Sequence, residues 1–368
     1  MATTIERVQT LPSDPLKLRA SAGFDWAMIV LCLWFQFGVY LDGWAHLRFS
    51  ELETFFTPWH AVLYSGFLAA SALLVATLVR NWAKGRPWRQ RLPEGYGLSL
   101  LGVAIFMIGG VGDMAWHTLF GVEADVEALV SPTHLILALG GTLIYTGPLR
   151  AGWRRPSFAG QSWLARLPMV LSLTLLLSIF TFFTVYAHPI GRPWPASGNQ
   201  PTSALFPLAS ADPPIRGDSL PAIVVAQALG ITGALLQTAL LMGIVVMALQ
   251  RCRWELPKGT LTIVFTVNGA LMAFMRDQAA LVPGIVLTGL AGDILLACLR
   301  PSPVRPTALH LFAFAVPAIY YVLHFLTLAL AKGVWWSIHL SAGVVVLAGV
   351  VGWLISYLAV PPAAESRS

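Results

Sequence analysis

The chain has 368 residues, of which 57% are hydrophobic and 11% charged, and it carries a net charge of +6. So few polar side chains cannot coat a soluble protein of this length, which excludes an ordinary water-soluble globule and points to an integral membrane protein. The Lys and Arg residues form no basic, aromatic-interleaved patch, so no nucleic-acid partner is implied.

About 20 apolar residues in a helix cross a bilayer core. In chain order, runs near residues 24–42, 59–79, 97–116, 132–148, 163–186, 221–249, 260–276, 281–299, 308–331 and 335–359 predict an all-α polytopic bundle of ten spans. The polar quartet Met275-Arg276-Asp277-Gln278 between two of them reads as a loop or a packed break. With both termini cytoplasmic, only Arg48, Arg192, Arg216, Arg276 and Lys332 lie outside, and the other cations obey the positive-inside bias. That orientation places the chain in the cell (inner) membrane, with the lipid bilayer as its first partner.

The same reading divides the chain into segments. Residues 1–23 are a cytoplasmic arm, 24–148 a pair of duplicated hairpins, and 149–186 an inner loop with the fifth span. Residues 187–220 form an outer segment rich in Pro, Gly and Ser and long enough to act as a lid, 221–360 a five-helix region, and 361–368 a cytoplasmic tail. Three scattered cysteines predict neither a disulfide framework nor a thiolate metal site.

The duplication carries the chemistry. Asp42 and His46 recur as Asp113 and His117, and the phrase Glu53, Thr57-Pro58, His60 recurs as Glu127, Ser131-Pro132, His134. Residues i and i+4 share a helix face, so each Asp-x3-His points two ligating groups in one direction. These pairs sit in the last turns of a helix, where the dipole disfavours a carboxylate unless a cation is present. Thr57 and Ser131 predict N-caps with Pro at the first helical position. His60 and His134 then fall in a first turn, where the dipole favours the neutral ring a metal requires. Asp42, His46 and His60 are therefore candidate ligands of one metal ion, and Asp113, His117 and His134 of a second. The alternative is a structural polar cap inherited by duplication. Carboxylate and imidazole without thiolate suit copper, zinc or iron. Glu53, Glu123, Glu127 and His188 are candidates for extra ligands or for groups that hydrogen-bond the ligands. Asp293, His324 and His339 are further polar groups expected within or near spans, each with a packing role as the alternative.

Residues 40–140 resemble the C subunit of the copper membrane monooxygenases, the family of particulate methane and ammonia monooxygenases. The resemblance rests on Asp42, His46 and Phe56-Thr57-Pro58-Trp59-His60, then on His117-Thr118-Leu119-Phe120, Glu123 and Pro132-Thr133-His134. It implies one copper ion at each set, O2 activation, an external reductant, hydroxylation of a small apolar substrate, and companion membrane subunits or a homo-oligomer. Asp113 departs from the family, which carries Asn there, and adds negative charge to its site. Two other classes stay open from the residues: a metal transporter or assembly factor, and a non-catalytic membrane subunit. Ligands clustered at one membrane level argue against transport, which needs polar steps across the bilayer.

Overall fold

The computed structural model describes residues 18–49, 57–121, 125–155, 161–201 and 220–360. Among them the chain forms helices and no strand: α1 (Ala22–His46), α2 (Pro58–Ala83), α3 (Gly97–Phe120), α4 (Asp125–Val130), α5 (Pro132–Tyr145), α6 (Gly147–Trp153), α7 (Trp163–Phe183), α8 (Leu220–Arg251), α9 (Thr260–Arg276), α10 (Val282–Leu299), α11 (Pro306–Lys332) and α12 (Ile338–Ser356). Eight stretches, built on α1, α2, α3, α7, α8, α10, α11 and α12, are long and apolar enough to cross a membrane. The other two expected runs are helical but shorter. α5 ends at Tyr145, where Thr146 and Pro148 start a new turn and Arg150 folds back to donate to the Leu143 carbonyl. α9 is bounded by Gly259 at φ 81° and by Asp277, which adopts the left-handed conformation at φ 54°. The polar quartet is thus a tight break, pinned by an Asp277–Arg48 ion pair and by Arg276 Nε donating to the Gly191 carbonyl at 2.9 Å.

Two hairpins, α1 with α2 and α3 with α5, are each drawn together by reciprocal glycines. A Cβ on Gly38 would lie 2.5 Å from the Leu63 Cα, and one on Gly66 would lie 2.6 Å from the Phe35 Cα. In the second hairpin, a Cβ on Gly109 would lie 3.0 Å from Leu137 Cδ2, and one on Gly140 would lie 2.7 Å from the Phe106 nitrogen. Only helices in near backbone contact leave so little room, and this contact sets the Asp of the first helix against the His of the second. α7 packs on both hairpins through α1 and α5, and joins them to the C-terminal helices through α8 and α9. Its central turns are buried almost all round.

The described part of the Pro-rich segment does not cover the hairpins. Its residues 194–197 lie against the junction of α11 and α12, where Trp335 N donates to the Pro195 carbonyl, Trp335 Nε1 to the Trp194 carbonyl and Ser197 N to the Gly333 carbonyl. The lid expectation for residues 202–219 falls outside the described residues.

Candidate metal centre

The two sets of ligands converge as the duplication predicts. Asp42 Oδ2 lies 3.6 Å from His46 Nε2, and its Oδ1 lies 3.4 Å from His60 Nε2. Asp113 Oδ2 lies 3.5 Å from His117 Nε2, and its Oδ1 lies 3.3 Å from His134 Nε2. In each triad one carboxylate offers one oxygen to each imidazole, and the three ligand atoms lie within 4.8 Å of one another. The separations discriminate between two readings. A charge-assisted N–H···O bond closes to about 2.8 Å. Ligands about 2.1 Å from a shared tetrahedral ion stand about 3.4 Å apart. The four distances lie beyond the first figure and near the second, so the spacing of each triad suits a shared ion. Asp42 Oδ1 is also buried without a hydrogen-bond partner among the described residues, a cost that a cation removes.

Local sequence explains each placement. Thr57 caps α2 as expected, accepting from His60 N at 3.1 Å, and so fixes the His60 backbone. Ser131 differs: it precedes α5 at the cap position but makes no cap bond, because its hydroxyl engages His134 Nδ1 at 2.9 Å. That contact orients the ring and leaves Nε2 for the centre. His117 Nδ1 lies 3.3 Å from the Gly121 carbonyl, which orients the ring with Nε2 toward Asp113. Thr133 Oγ1 donates to Asp113 Oδ1 at 2.8 Å. Among the described residues, these three contacts hold the side chains of the second centre. Ser131→Ala should weaken metal binding at the second centre by about tenfold or more while sparing the first, as read by competitive chelator titration.

Both triads line one cavity of about 400 Å³. Its remaining wall is largely apolar, with Phe35, Leu63, Phe106, Leu137 and Ile179, and Tyr64 and Tyr145 add two phenols. Polarity is thus confined to the triad end and the phenols.

The other predicted residues divide. Glu53 and Glu123 lie outside the described residues. Glu127 is exposed on α4 and belongs to neither triad. His188 does not reach a triad; it is buried in a second, small cavity with Thr181, Gln237, Asn268 and Tyr320. Its Nδ1 accepts from Ile190 N at 3.1 Å. Burial, reinforced by His324, pushes His188 down to about 3, so the fold holds it neutral. Because the folded value lies below the unfolded value of about 6.5, its contribution is complete above that pH and is lost as pH falls toward 3. His188→Asn, which keeps an acceptor for Ile190, should flatten the acid limb of a stability–pH curve in detergent.

His324 is buried among Tyr320, Tyr321 and Phe325, whereas His339 is exposed at the start of α12. Asp293 is a helix cap supplied from a neighbour. Its oxygens accept from Leu261 N at 3.1 Å, Thr262 N at 2.9 Å and Thr262 Oγ1 at 2.6 Å, serving the start of α9, where Gly259 has no side chain to do so. Asp293→Ala should cost about 2 kcal/mol in unfolding free energy and leave metal content unchanged.

Several site residues were not among the sequence candidates. The repeat extends inward as Phe35, Gly38, Leu63 and Gly66, matched by Phe106, Gly109, Leu137 and Gly140. These residues build the walls and the close helix contacts, and the signal for them is the shared spacing to Asp and His.

No protein-family model, curated protein or solved structure matches the chain. The functional reading therefore stands on the chemistry of the site.

Proposed function

We infer that the protein is a multi-pass membrane metalloprotein that holds one metal ion at each triad, copper at both, and uses O2 to hydroxylate a small, largely apolar substrate. The observation that carries this reading is the repeated 3.3–3.6 Å spacing of carboxylate oxygen and imidazole nitrogen in two triads on one cavity. Ten helical passes with cytoplasmic termini, α5 and α9 being the short ones, would set both triads near the outer face of the inner membrane. The resemblance of residues 40–140 to copper monooxygenase C subunits supports the choice of copper, as does a ligand set of imidazole and carboxylate.

The balanced reaction consumes substrate, O2, two electrons and two protons, and yields a hydroxylated product and water, so an external two-electron donor is required. Bound copper would supply the binding and reduction of O2. The chain's own residues supply the rest. Asp42 and Asp113 offset the cationic charge in an otherwise apolar cavity. Ser131 and Gly121 orient His134 and His117, and the Phe and Leu walls exclude water and receive a substrate arriving from the lipid.

An enzyme is favoured over a carrier because Asp293, a carboxylate away from the triads, is committed to capping α9, which leaves it unsuited to a transport path. The test supplies purified, copper-loaded protein with a quinol reductant, toluene and ¹⁸O-labelled O2. One labelled oxygen in the product, lost in His46→Ala and in His134→Ala, supports the enzyme. Copper movement across vesicles that is lost in those variants, with no labelled product from the native protein, supports the carrier instead.

A further inference from the structure

The segment joining α2 to α3 carries Arg80, Lys84, Arg86, Arg89 and Arg91 with no acid before Glu94, and it sets Trp82 and Trp88 among them. It is a folded turn. Asn81, only 7% exposed, ties it together: its carbonyl accepts from Arg86 N at 3.1 Å, and its Nδ2 donates to the Arg91 carbonyl at 2.9 Å. Gly85, at φ 73°, makes the reversal, and Arg91 Nε donates to the Arg86 carbonyl at 3.1 Å. The Arg91 guanidinium also lies over the Trp88 ring, 5.6 Å from its centroid. Arg86 and Arg91 are half-buried and belong to the scaffold of the turn.

Neighbouring cations at this end of the helices are taken up by the fold. Arg150 donates to the Gly95 and Leu143 carbonyls and to Ser99 Oγ, Arg154 pairs with Glu94 at 3.2 Å, and Arg155 pairs with the buried Asp25. Arg80, Lys84 and Arg89 differ, being exposed and without an ion pair or a side-chain hydrogen bond among the described residues. Trp82 and Trp88 are 61% and 67% exposed. The positive-inside bias accounts for cations in such a segment, and the dipole at the end of α2 for Arg80 and Lys84 in particular. Neither accounts for a built turn that holds two indoles outward beside Arg89. An indole rests at the headgroup level of a bilayer, with its ring toward the apolar side and its N–H toward water. Both α2 and α3 are long and apolar enough to cross a membrane, which puts the turn between them at that level.

We propose that the α2–α3 turn is a binding site for the headgroup of an anionic phospholipid. Arg80, Lys84 and Arg89 hold the phosphate, and Trp82 and Trp88 pack against the glycerol and the upper acyl chains. The indoles favour a lipid over free phosphate, because a soluble anion would leave both rings uncovered. The three cations favour an anionic lipid over a zwitterionic one, whose own cationic group they repel. The site stands apart from the triads and does not depend on the metal-centre reading.

The test is native mass spectrometry of the full-length protein from detergent containing equal concentrations of dioleoyl phosphatidylglycerol and dioleoyl phosphatidylcholine. The native protein should retain phosphatidylglycerol in preference. Arg80→Gln/Lys84→Gln/Arg89→Gln should raise its dissociation constant about tenfold or more. Lys258→Gln/Arg300→Gln/Arg305→Gln removes the same charge from exposed positions elsewhere and should change it by less than about twofold. Trp82→Ala/Trp88→Ala should weaken retention of the lipid at unchanged charge. All these changes are at exposed side chains, so the unfolding midpoint and the metal content should stay native. Arg89→Gln alone, outside α2, should still weaken binding about fivefold and carries the test if the triple variant does not fold. Equal retention of the two lipids by the native protein, or an equal loss in the two charge variants, would overturn the proposal. Displacement of phosphatidylglycerol by inorganic phosphate at the same concentration would overturn it in favour of a free-anion site.

Discussion

Replacing Asp113 and His117 together by Ala should halve the metal content of the purified protein, and replacing Asp42 and His46 together should do the same. Each pair substitution removes two of three ligands from one triad and leaves the other three ligand atoms within their 4.8 Å circle. Two ligands lost from a three-residue site leave an affinity too low to survive purification, while the second centre retains its own helix pair and glycine contacts. Ser131, Gly121 and Thr133 hold His134, His117 and Asp113 in place, so the second centre should keep its metal when Asp42 and His46 are replaced. Elemental analysis of the two variants and the native protein, after identical chelator washes, checks both statements. A structural polar cap would show no metal in any of the three.

Gly66→Leu and Gly140→Leu should be the most disruptive substitutions away from the ligands. Even a Cβ at these positions would meet the backbone of Phe35 or Phe106 at 2.6–2.7 Å, so the helices must separate along their contact line. Overpacking of this kind costs about 1–3 kcal/mol or more. His60 is six residues from Gly66 on α2, and His134 six from Gly140 on α5. Separation of the helices moves each His away from its Asp, and ligands that part by about 1 Å no longer close around one ion. The expected result is loss of metal from the affected hairpin together with a lower unfolding midpoint in detergent. Gly343→Ala on α12 is the control: nothing lies within 4 Å of an added Cβ there, so it should be neutral or slightly stabilising.

The polar half of the site was legible in the sequence because helical spacing and capping are local rules. Asp42 with His46 follows from the i, i+4 relation, and the positions of His60 and His134 from the Pro that opens each helix. The use of Ser131 was not legible, since a hydroxyl before a helix has two partners within reach and only tertiary packing decides between the backbone and His134 Nδ1. Asp293 was seen as an expensive intramembrane acid, yet its partners are backbone N–H groups 31 and 32 residues away, which no local pattern reveals. His188 was a candidate extra ligand and lies in the second cavity instead, because the course of a Pro-rich segment depends on the helices it packs against. The helix positions held, α9 to the residue, while the length of α5 did not. Apolar composition ran on past Tyr145, whereas the backbone turned at Thr146 to meet Arg150.

The most direct measurement of the central claim is the metal K-edge X-ray absorption spectrum of the copper-loaded, detergent-purified protein. The triads predict a first shell of nitrogen and oxygen at about 2.0 Å with outer-shell imidazole scattering and no sulfur. The same shell should persist at half the intensity per protein in the Asp42→Ala/His46→Ala variant. A sulfur shell, a spectrum of hydrated copper without imidazole, or a shell unchanged in amount in both pair variants would contradict the account.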